Sequence, residues 1–338
     1  MMTIIFLGTI IILNEIIIKY NIFLDKIEHS KHKIFVNKKK IPSSAGFFLI
    51  IFIFIFKSDI GYLNLFCFLA IFFIGFASDR IKNFSPTLRL FLQIFFSILL
   101  IQNTSVLIQD VRIDDLNIFL EKNIIMSQIF TIFCFLVLMN GTNFIDGINL
   151  NTTGYYIIVF SIILIISKTN NLNLDFDFNH KILIFLSLIY LLNFLNKTQL
   201  GDSGAYLLSF FTAYYVIKFV NLNPLVSPYF AVLVLWYPCF ENLFSITRKI
   251  YQNKNISKAD NLHLHHNIFS LLKGKFNTKA NNISGFIVNL INLLLLILSI
   301  NYFNSTKHLI LIISFNIFLY ILFYNILLKS ILKKKSVK

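Results

Sequence analysis

Residues Ile124–Asn149 read IIMSQIFTIFCFLVLMNGTNFIDGIN. Positions 124–139 carry no charge, and the run then gives way to asparagine, glycine and one aspartate, Asp146. A hydrocarbon core about 30 Å thick takes roughly 20 apolar residues in a helix, so such a run is read as a membrane span. The pattern of an apolar run that ends in a short polar motif recurs along the chain. Of the 338 residues, 57% are hydrophobic and 13% charged, and the mean hydropathy is +0.76. A soluble domain needs far more charge to cover its surface. The expected fold class is an all-α polytopic membrane protein, one integral membrane domain over residues 1–338 with no room for a separate soluble domain.

About eleven spans are expected: 3–24, 44–57, 61–77, 89–108, 124–139, 154–167, 181–195, 204–220, 227–246, 283–303 and 308–329. The first run lacks a charged leader region and cleavage site, so it is expected to be a retained helix. Cys67, Cys134 and Cys239 each lie inside an apolar run, with no disulfide framework or zinc-cysteine spacing. An odd number of spans puts the termini on opposite sides. One parity places loops 25–43, 78–88, 140–153, 196–203, 247–282 and the tail on the same side, with 22 of the 30 Lys and Arg residues when Arg89 and Lys329 at span ends are included. The positive-inside rule makes that side cytoplasmic, the N-terminus outside and the tail KSILKKKSVK inside. Glu15 and Lys19, four apart, are expected to pair on the first helix. The tail lysines are read as an orientation signal and a contact for anionic lipid.

Few acids remain on the cytoplasmic side. Apart from Asp25 and Glu28 they are Asp79, Asp146, Asp202, Glu241 and Asp260. An ionisable group at the membrane is costly and marks a functional site by default. Against a solvated loop end or helix cap, one Asp decides little; three at loop-span junctions on one face point to a shared site. The motifs are Gly75-Phe-Ala-Ser-Asp79-Arg80 followed by Ser85-Pro-Thr-Leu-Arg89 and Gln93, Asn140-Gly-Thr-Asn143-Phe-Ile-Asp146-Gly-Ile-Asn149, Gly201-Asp202-Ser-Gly204, and Asp260-Asn-Leu-His263-Leu-His265-His266 behind Arg248-Lys249. Asn143 and Asp146 share a helix face by their spacing. Carboxylate and amide oxygens suit Mg²⁺, which keeps waters and binds substrate phosphates. A basic rim of Lys38, Lys39, Lys40, Arg80, Lys82, Arg89, Arg248 and Lys249 suggests a phosphorylated substrate.

In this order the motifs resemble the polyprenyl-phosphate N-acetylhexosamine-1-phosphate transferases, which start O-antigen, teichoic acid and peptidoglycan lipid intermediates. The resemblance runs over about residues 30–266: KHK…KKKIPSSAGF, SDRIKNFSPTLRLFLQ, NGTNFIDGIN, GDSGAYLL, YPCFENLFSITRK and DNLHLHH are similar to six successive family segments. It implies a cytoplasmic-face active site in a multi-pass protein of the bacterial inner membrane. The implied reaction moves a sugar 1-phosphate, an N-acetylated aminosugar, from a UDP-sugar donor to undecaprenyl phosphate and releases UMP, initiating an O-antigen, capsule or teichoic-type polysaccharide. Mg²⁺, with Mn²⁺ as an alternative, would be held by Asp202 with Asn143 or Asp146. Asp79, Asp146 and Asp202 would be catalytic, with Asp79 as base or positioner of the acceptor phosphate. Asn149 and Asp146 would contact the nucleotide. Arg89, Arg248, His263, His265 and His266 would contact the diphosphate, with Asn143, Lys39 and Lys40 also at the substrate. A lipid-facing groove would take the polyprenyl chain. No nucleic acid partner is expected, and a homodimer is left open.

Two departures from the family pattern stand out. Ser78 replaces the first Asp of an Asp-Asp pair, so a covalent route through that Asp cannot operate and direct transfer with Asp79 alone is favoured. A hydroxyl at position 78 is expected to do no more than position a water or the acceptor. DGINLN also lacks the Gly that usually follows Asn149. The histidines, three of seven within 263–266, could suggest zinc. Their spacing of i, i+2, i+3 and the absence of a nearby cysteine argue against it. The rival readings are a degenerate homologue, motivated by Ser78, and a transporter or flippase, which would need inverted repeats and acids near mid-span.

Overall fold

The computed structural model describes residues 2–24, 41–57, 60–81, 83–255 and 260–336, with 332–336 by backbone alone. Among these the regular elements are helices: α1 (Met2–Lys19), α2 (Ala45–Phe56), α3 (Tyr62–Arg80), α4 (Pro86–Thr104), α5 (Asp114–Lys122), α6 (Ile124–Ile145), α7 (Asn151–Asn170) and α8 (Phe176–Phe194). They continue through α9 (Gly201–Leu222), α10 (Pro228–Val234), α11 (Trp236–Tyr251), α12 (Leu264–Phe276), α13 (Ala280–Leu296), α14 (Ser299–Tyr302) and α15 (Thr306–Ser336), with a 3₁₀ turn at Asn277–Lys279. Lipid offers no partner to a backbone N–H or C=O, so an apolar run that enters it must satisfy those groups internally, as a helix. Each of the eleven expected runs is helical over most of its length. Among the described residues eight stretches are long and apolar enough to cross a membrane, nine if α10 and α11 form one crossing. The 12-residue α2 and the α8 helix fall outside that set.

The helix α9 is the centre of the bundle. Ser203 through Ile217 are buried without a break, and α2, α3 and α6 pack around it. Small residues make this possible. A Cβ on Gly46 would lie 2.6 Å from the Gly204 nitrogen, and one on Gly75 would overlap Ser203 Cα. Helices in lipid approach closely where such residues face each other. Phe68 of α3 and Phe135 of α6 then close the contact against Phe210 at ring distances of 5.6 and 5.3 Å.

The expected span 227–246 is instead two helices, α10 and α11, bent by 73°. The cause is local. Pro238 lacks the N–H that would bond Val234 O, four residues earlier, and its ring cannot follow a straight helix. The Tyr155 hydroxyl from α7 fills the gap: it donates to Val234 O at 2.8 Å and accepts from the Tyr237 N–H at 3.3 Å. A second expectation also changes. Glu15 pairs with Lys197, not with Lys19, and so ties α1 to the loop before α9. Asn14 supports the same junction, donating to Lys197 O at 3.1 Å and accepting from Ser44 at 2.8 Å.

Tyr155→Phe should therefore leave two main-chain groups at the α10–α11 bend unpaired in a fully buried place. We expect a loss of about 1–3 kcal/mol of stability, the cost of a buried unsatisfied polar group. Thermal unfolding in detergent measures it; an unchanged midpoint would mean that the bend does not depend on this hydroxyl.

Candidate active site

Chain direction gathers the motifs at one end of the bundle. Asp79 ends α3, Arg89 lies in the first turn of α4, Asn143 and Asp146 end α6, Asp202 begins α9, Arg248 is in the last turn of α11 and His263 caps α12. The residue before α9, Leu200, offers no side-chain cap. The cap comes from another helix. The Asp79 carboxylate accepts from the Asp202 N–H at 3.1 Å and from the Ser203 N–H at 3.2 Å, one on each oxygen. A helix start carries unpaired N–H groups and partial positive charge, and a carboxylate answers both. Gly75 lies one turn before Asp79 on the same face, and the α3–α9 approach that it permits brings the carboxylate within reach. Gly201 sits at φ +66° with room for no Cβ between Asp79 and Ser43.

Ser78 does more than the sequence suggests. Its hydroxyl donates to Asp202 Oδ2 at 2.6 Å and accepts from Arg89 Nη1 at 3.2 Å. It thus bridges a cation and an anion whose nearest atoms are 4.0 Å apart. The Arg89 guanidinium also lies over the Tyr206 ring, 5.5 Å from its centre, and Asn143 Nδ2 donates to the Tyr206 hydroxyl at 2.8 Å. Ser78, Asp79, Arg89, Asn143, Asp202 and Tyr206 therefore form one connected cluster. Tyr206 was not singled out from the sequence, although it stands one turn after Asp202 in GDSGAY.

The donor set can be tested against a metal ion. Asn143 uses its amide nitrogen on Tyr206, which leaves its oxygen to face a ligand, and Asp202 Oδ1 accepts no hydrogen bond from the described residues. These are hard oxygen donors. Among the described residues no group of three His, Cys, Asp or Glu encloses a metal position. A cation held here would complete its shell with water and phosphate oxygens, which is how Mg²⁺ binds. The residues fit such an ion.

A second cluster surrounds His263. Its Nδ1 lies 2.9 Å from Glu241 Oε1, and its Nε2 lies 3.6 Å from Asp260 Oδ1. Phe144 connects the two clusters: its ring is 5.1 Å from the His263 ring, with Lys249 Nζ 5.8 Å from its centre. His265 is fully buried, stacks on His263 at 5.6 Å, and neither ring nitrogen has a partner among the described residues. A Cβ on Gly147 would lie 2.5 Å from His266 Nε2 and 2.8 Å from His265 Nε2. The glycine of the Asp146-Gly147 motif is thus what lets both imidazoles reach the end of α6.

Two expected substrate residues are placed differently. Both terminal nitrogens of Arg248 are engaged within the protein, while its buried Nε has no partner among the described residues. The side chain is buried, and Nη1 and Nη2 bond Asp260, Leu262 O, the Tyr324 hydroxyl and Ser245. Burial alone would raise the Asp260 carboxyl; Arg248, then His263, the Leu262 N–H and Lys249, outweigh it and hold the group below the usual carboxylate range. Arg248 therefore anchors the histidine loop. Asn149 is likewise committed: its Nδ2 donates to Asn196 at 2.8 Å and Asn282 at 2.9 Å, and its N–H to Asn281 at 2.9 Å. It holds the turn that leaves α6. Next to it is a polar cavity of about 30 Å³, lined by Asp146, Gly147, Asn149, Thr153 and Asn193, with room for a water. Lys39 and Lys40 lie outside the described residues, as do Lys38 and Lys82. Arg80 packs on Phe23 and Phe76, 5.7 and 5.2 Å from the ring centres.

Comparison with known proteins covers the part of the chain that carries the first cluster. The family model described as glycosyl transferase family 4 matches residues 62–220, which hold Ser78, Asp79, Arg89, Asn143, Asp146 and Asp202. A protein of Bacillus subtilis (strain 168), described as a probable undecaprenyl-phosphate N-acetylglucosaminyl 1-phosphate transferase, is 26% identical over 159 residues. That stretch is 43% of this chain and 41% of the relative, so the match spans about two fifths of the relative's length. Over residues 62–220, just under half of its length, the chain is thus similar to glycosyl transferase family 4. The histidine loop and every helix after α9 lie outside the residues that the family model matches.

Ser78→Ala tests the bridge. Without the hydroxyl, Asp202 loses a short donor and Arg89 an acceptor, and the two charges can close to a direct pair. Asp202 should turn towards Arg89 and away from the open end of the cluster. We expect activity to fall about tenfold, the scale of one hydrogen bond to a charged group, with Ser78→Thr restoring most of it. Full activity in Ser78→Ala would show that Asp202 keeps its position without the bridge.

Proposed function

We propose that the protein transfers a sugar 1-phosphate from a UDP-sugar to undecaprenyl phosphate at the cytoplasmic face of the bacterial inner membrane. An acceptor phosphate oxygen forms a bond to the sugar-bearing phosphorus, the bond from that phosphorus to the bridging oxygen of UMP breaks, and UMP leaves with that oxygen. One diphosphate replaces another, so the chemical task is to hold several negative charges together. The observation that carries this reading is the Ser78–Asp79–Arg89–Asp202 cluster, built by two motif segments on three helices.

Asp202, with Asn143 and Asp146, would hold Mg²⁺, or Mn²⁺ in its place, and the ion would offset the charge of the donor diphosphate. Arg89 meets phosphate oxygens from the Tyr206 side. Asp79 fixes the start of α9 and with it the direction of Asp202, and it is the carboxylate nearest the acceptor. His263, His265 and His266 approach the diphosphate from the α12 side, and the Asp146-Gly147 turn with its polar cavity receives the nucleotide. An apolar cavity of about 280 Å³ between α11, α12, α13 and α15 starts at Leu264, beside these histidines, and would take part of the lipid chain. The sugar is an N-acetylated aminosugar, and the product starts a cell-surface polysaccharide.

Two measurements test this. Membranes containing the chain, given undecaprenyl phosphate, Mg²⁺ and a panel of UDP-sugars, should form a lipid-linked sugar diphosphate and UMP. EDTA should stop the reaction, and Asp202→Asn should lower it by at least about 10²-fold, as for loss of a charge-stabilising group. Failure with every UDP-sugar offered, from protein that is folded, would refute the reading. For the orientation, a cysteine at exposed Asn255 in a background without Cys67, Cys134 and Cys239 should resist a membrane-impermeant thiol reagent in intact cells. Ready labelling would put the site on the wrong side for a nucleotide donor.

A further inference from the structure

The last helix reaches into the site. On α15 the Tyr320 hydroxyl donates to Glu241 Oε2 at 2.7 Å, and the other oxygen of that carboxylate, Oε1, meets His263 Nδ1 at 2.9 Å. Glu241 is fully buried, and Tyr320 and His263 are 3% and 4% exposed, so water does not compete for these bonds. A carboxylate only accepts, so Nδ1 of His263 carries a proton towards Glu241, while Nε2 points towards Asp260 and the loop. Each oxygen of Glu241 has one strong donor. Remove the tyrosine hydroxyl and a buried anion keeps a single partner, an arrangement that favours rotation of the carboxylate or transfer of a proton to it. Either change releases the hold on His263.

We propose that Tyr320 is a positioning residue: acting through Glu241, it sets the tautomer and ring orientation of His263. The inference rests on the proposed transferase reading for its kinetic consequence, but not for its structural one. One turn further along α15, Tyr324 is a natural control. Its hydroxyl accepts from Arg248 Nη1 at 2.9 Å and makes no bond to Glu241. The aromatic packing of Tyr320, on Phe240 at 4.9 Å and Phe244 at 5.2 Å, survives in Tyr320→Phe, so the substitution removes the hydroxyl alone.

The test uses the full-length protein in lipid nanodiscs with ¹⁵N-labelled histidine, the His263 signals being assigned by their loss in His263→Gln. The unmodified protein should show His263 protonated on Nδ1. Tyr320→Phe should give a mixture of tautomers, Glu241→Gln should also disturb the signal, and Tyr324→Phe should leave it as it was. With the UDP-sugar that the chain accepts, Tyr320→Phe should raise KM about tenfold, the scale of a lost hydrogen bond to a charged group, and change kcat less than about twofold. An unchanged His263 signal in Tyr320→Phe, or the same change in Tyr324→Phe, would overturn the proposal. So would a parallel fall in kcat with no rise in KM. If no UDP-sugar is turned over by the unmodified protein, the reaction assigned above fails, while the tautomer measurement still decides the role of Tyr320.

Discussion

The structure turns on one carboxylate at the start of one helix. The packed axis of a helix bundle, even at one end, is a poor place for a helix to begin, because its first N–H groups have no intrahelical partner. In this protein α9 begins there, and Asp79 of α3 supplies the acceptor. The bond demands that α3 and α9 touch backbone to backbone, hence Gly75 against Ser203 and Gly46 against Gly204. Once the contact exists, Ser78 on the next position of α3 meets Asp202, and Arg89 is drawn in behind it. Helix packing and site assembly are thus the same event.

Much of this was legible in the sequence, for a definite physical reason. Apolar runs of span length declare helices, and the polar interruptions Ser78-Asp79, Asn143–Asp146 and Asp202 show where the helices end. The bend between α10 and α11 was not legible as a break, because 227–246 is apolar throughout its first half and Pro238 could have opened a loop as well as a bend. What resolves it is Tyr155, 79 positions from Val234 and 82 from Tyr237, and no local pattern reports a partner at that distance. The partners of Arg248 were hidden for a similar reason: Asp260, Leu262 O and Tyr324 had to be brought together in space to show that both of its terminal nitrogens are bonded within the protein. Glu241 stood within a recognised segment, YPCFENLFSITRK, yet only its burial between Tyr320 and His263 gives it a role.

The second departure from the family pattern has a structural counterpart. Where the family pattern would have glycine after Asn149, this chain has Leu150, and its backbone sits at φ +69°, the left-handed region that glycine enters without cost. A leucine there is strained on the order of 1–3 kcal/mol. Hydrogen bonds hold it from both sides: its N–H donates to Asn193 Oδ1 at 2.6 Å, and its carbonyl accepts from Asn289 at 2.8 Å. Its side chain is buried, 3% exposed, and that burial offsets part of the strain. The asparagines around this turn, Asn149, Asn193, Asn196, Asn281, Asn282 and Asn289, therefore belong to the scaffold. Asparagine can donate and accept at one centre, which suits a turn whose main chain must be tied at both groups.

The two clusters of the site are held by different parts of the chain, and this bears on how the site can vary. The cluster of Ser78, Asp79, Arg89 and Asp202 lies within the residues shared with the family, on helices packed by glycine contacts that leave little freedom. The histidine cluster lies beyond them and is tied mainly by side chains: Arg248 to Asp260, Glu241 to His263, and the tyrosines of α15 to both. A backbone contact fixes geometry whatever the neighbouring side chains are, whereas in a side-chain network each member depends on its own bonded partners. The cluster at the start of α9 is thus fixed by backbone contacts, while the histidine loop can be altered by single substitutions on α11 and α15. Phe144, between His263 and Lys249, is where a shift in one cluster would be felt by the other.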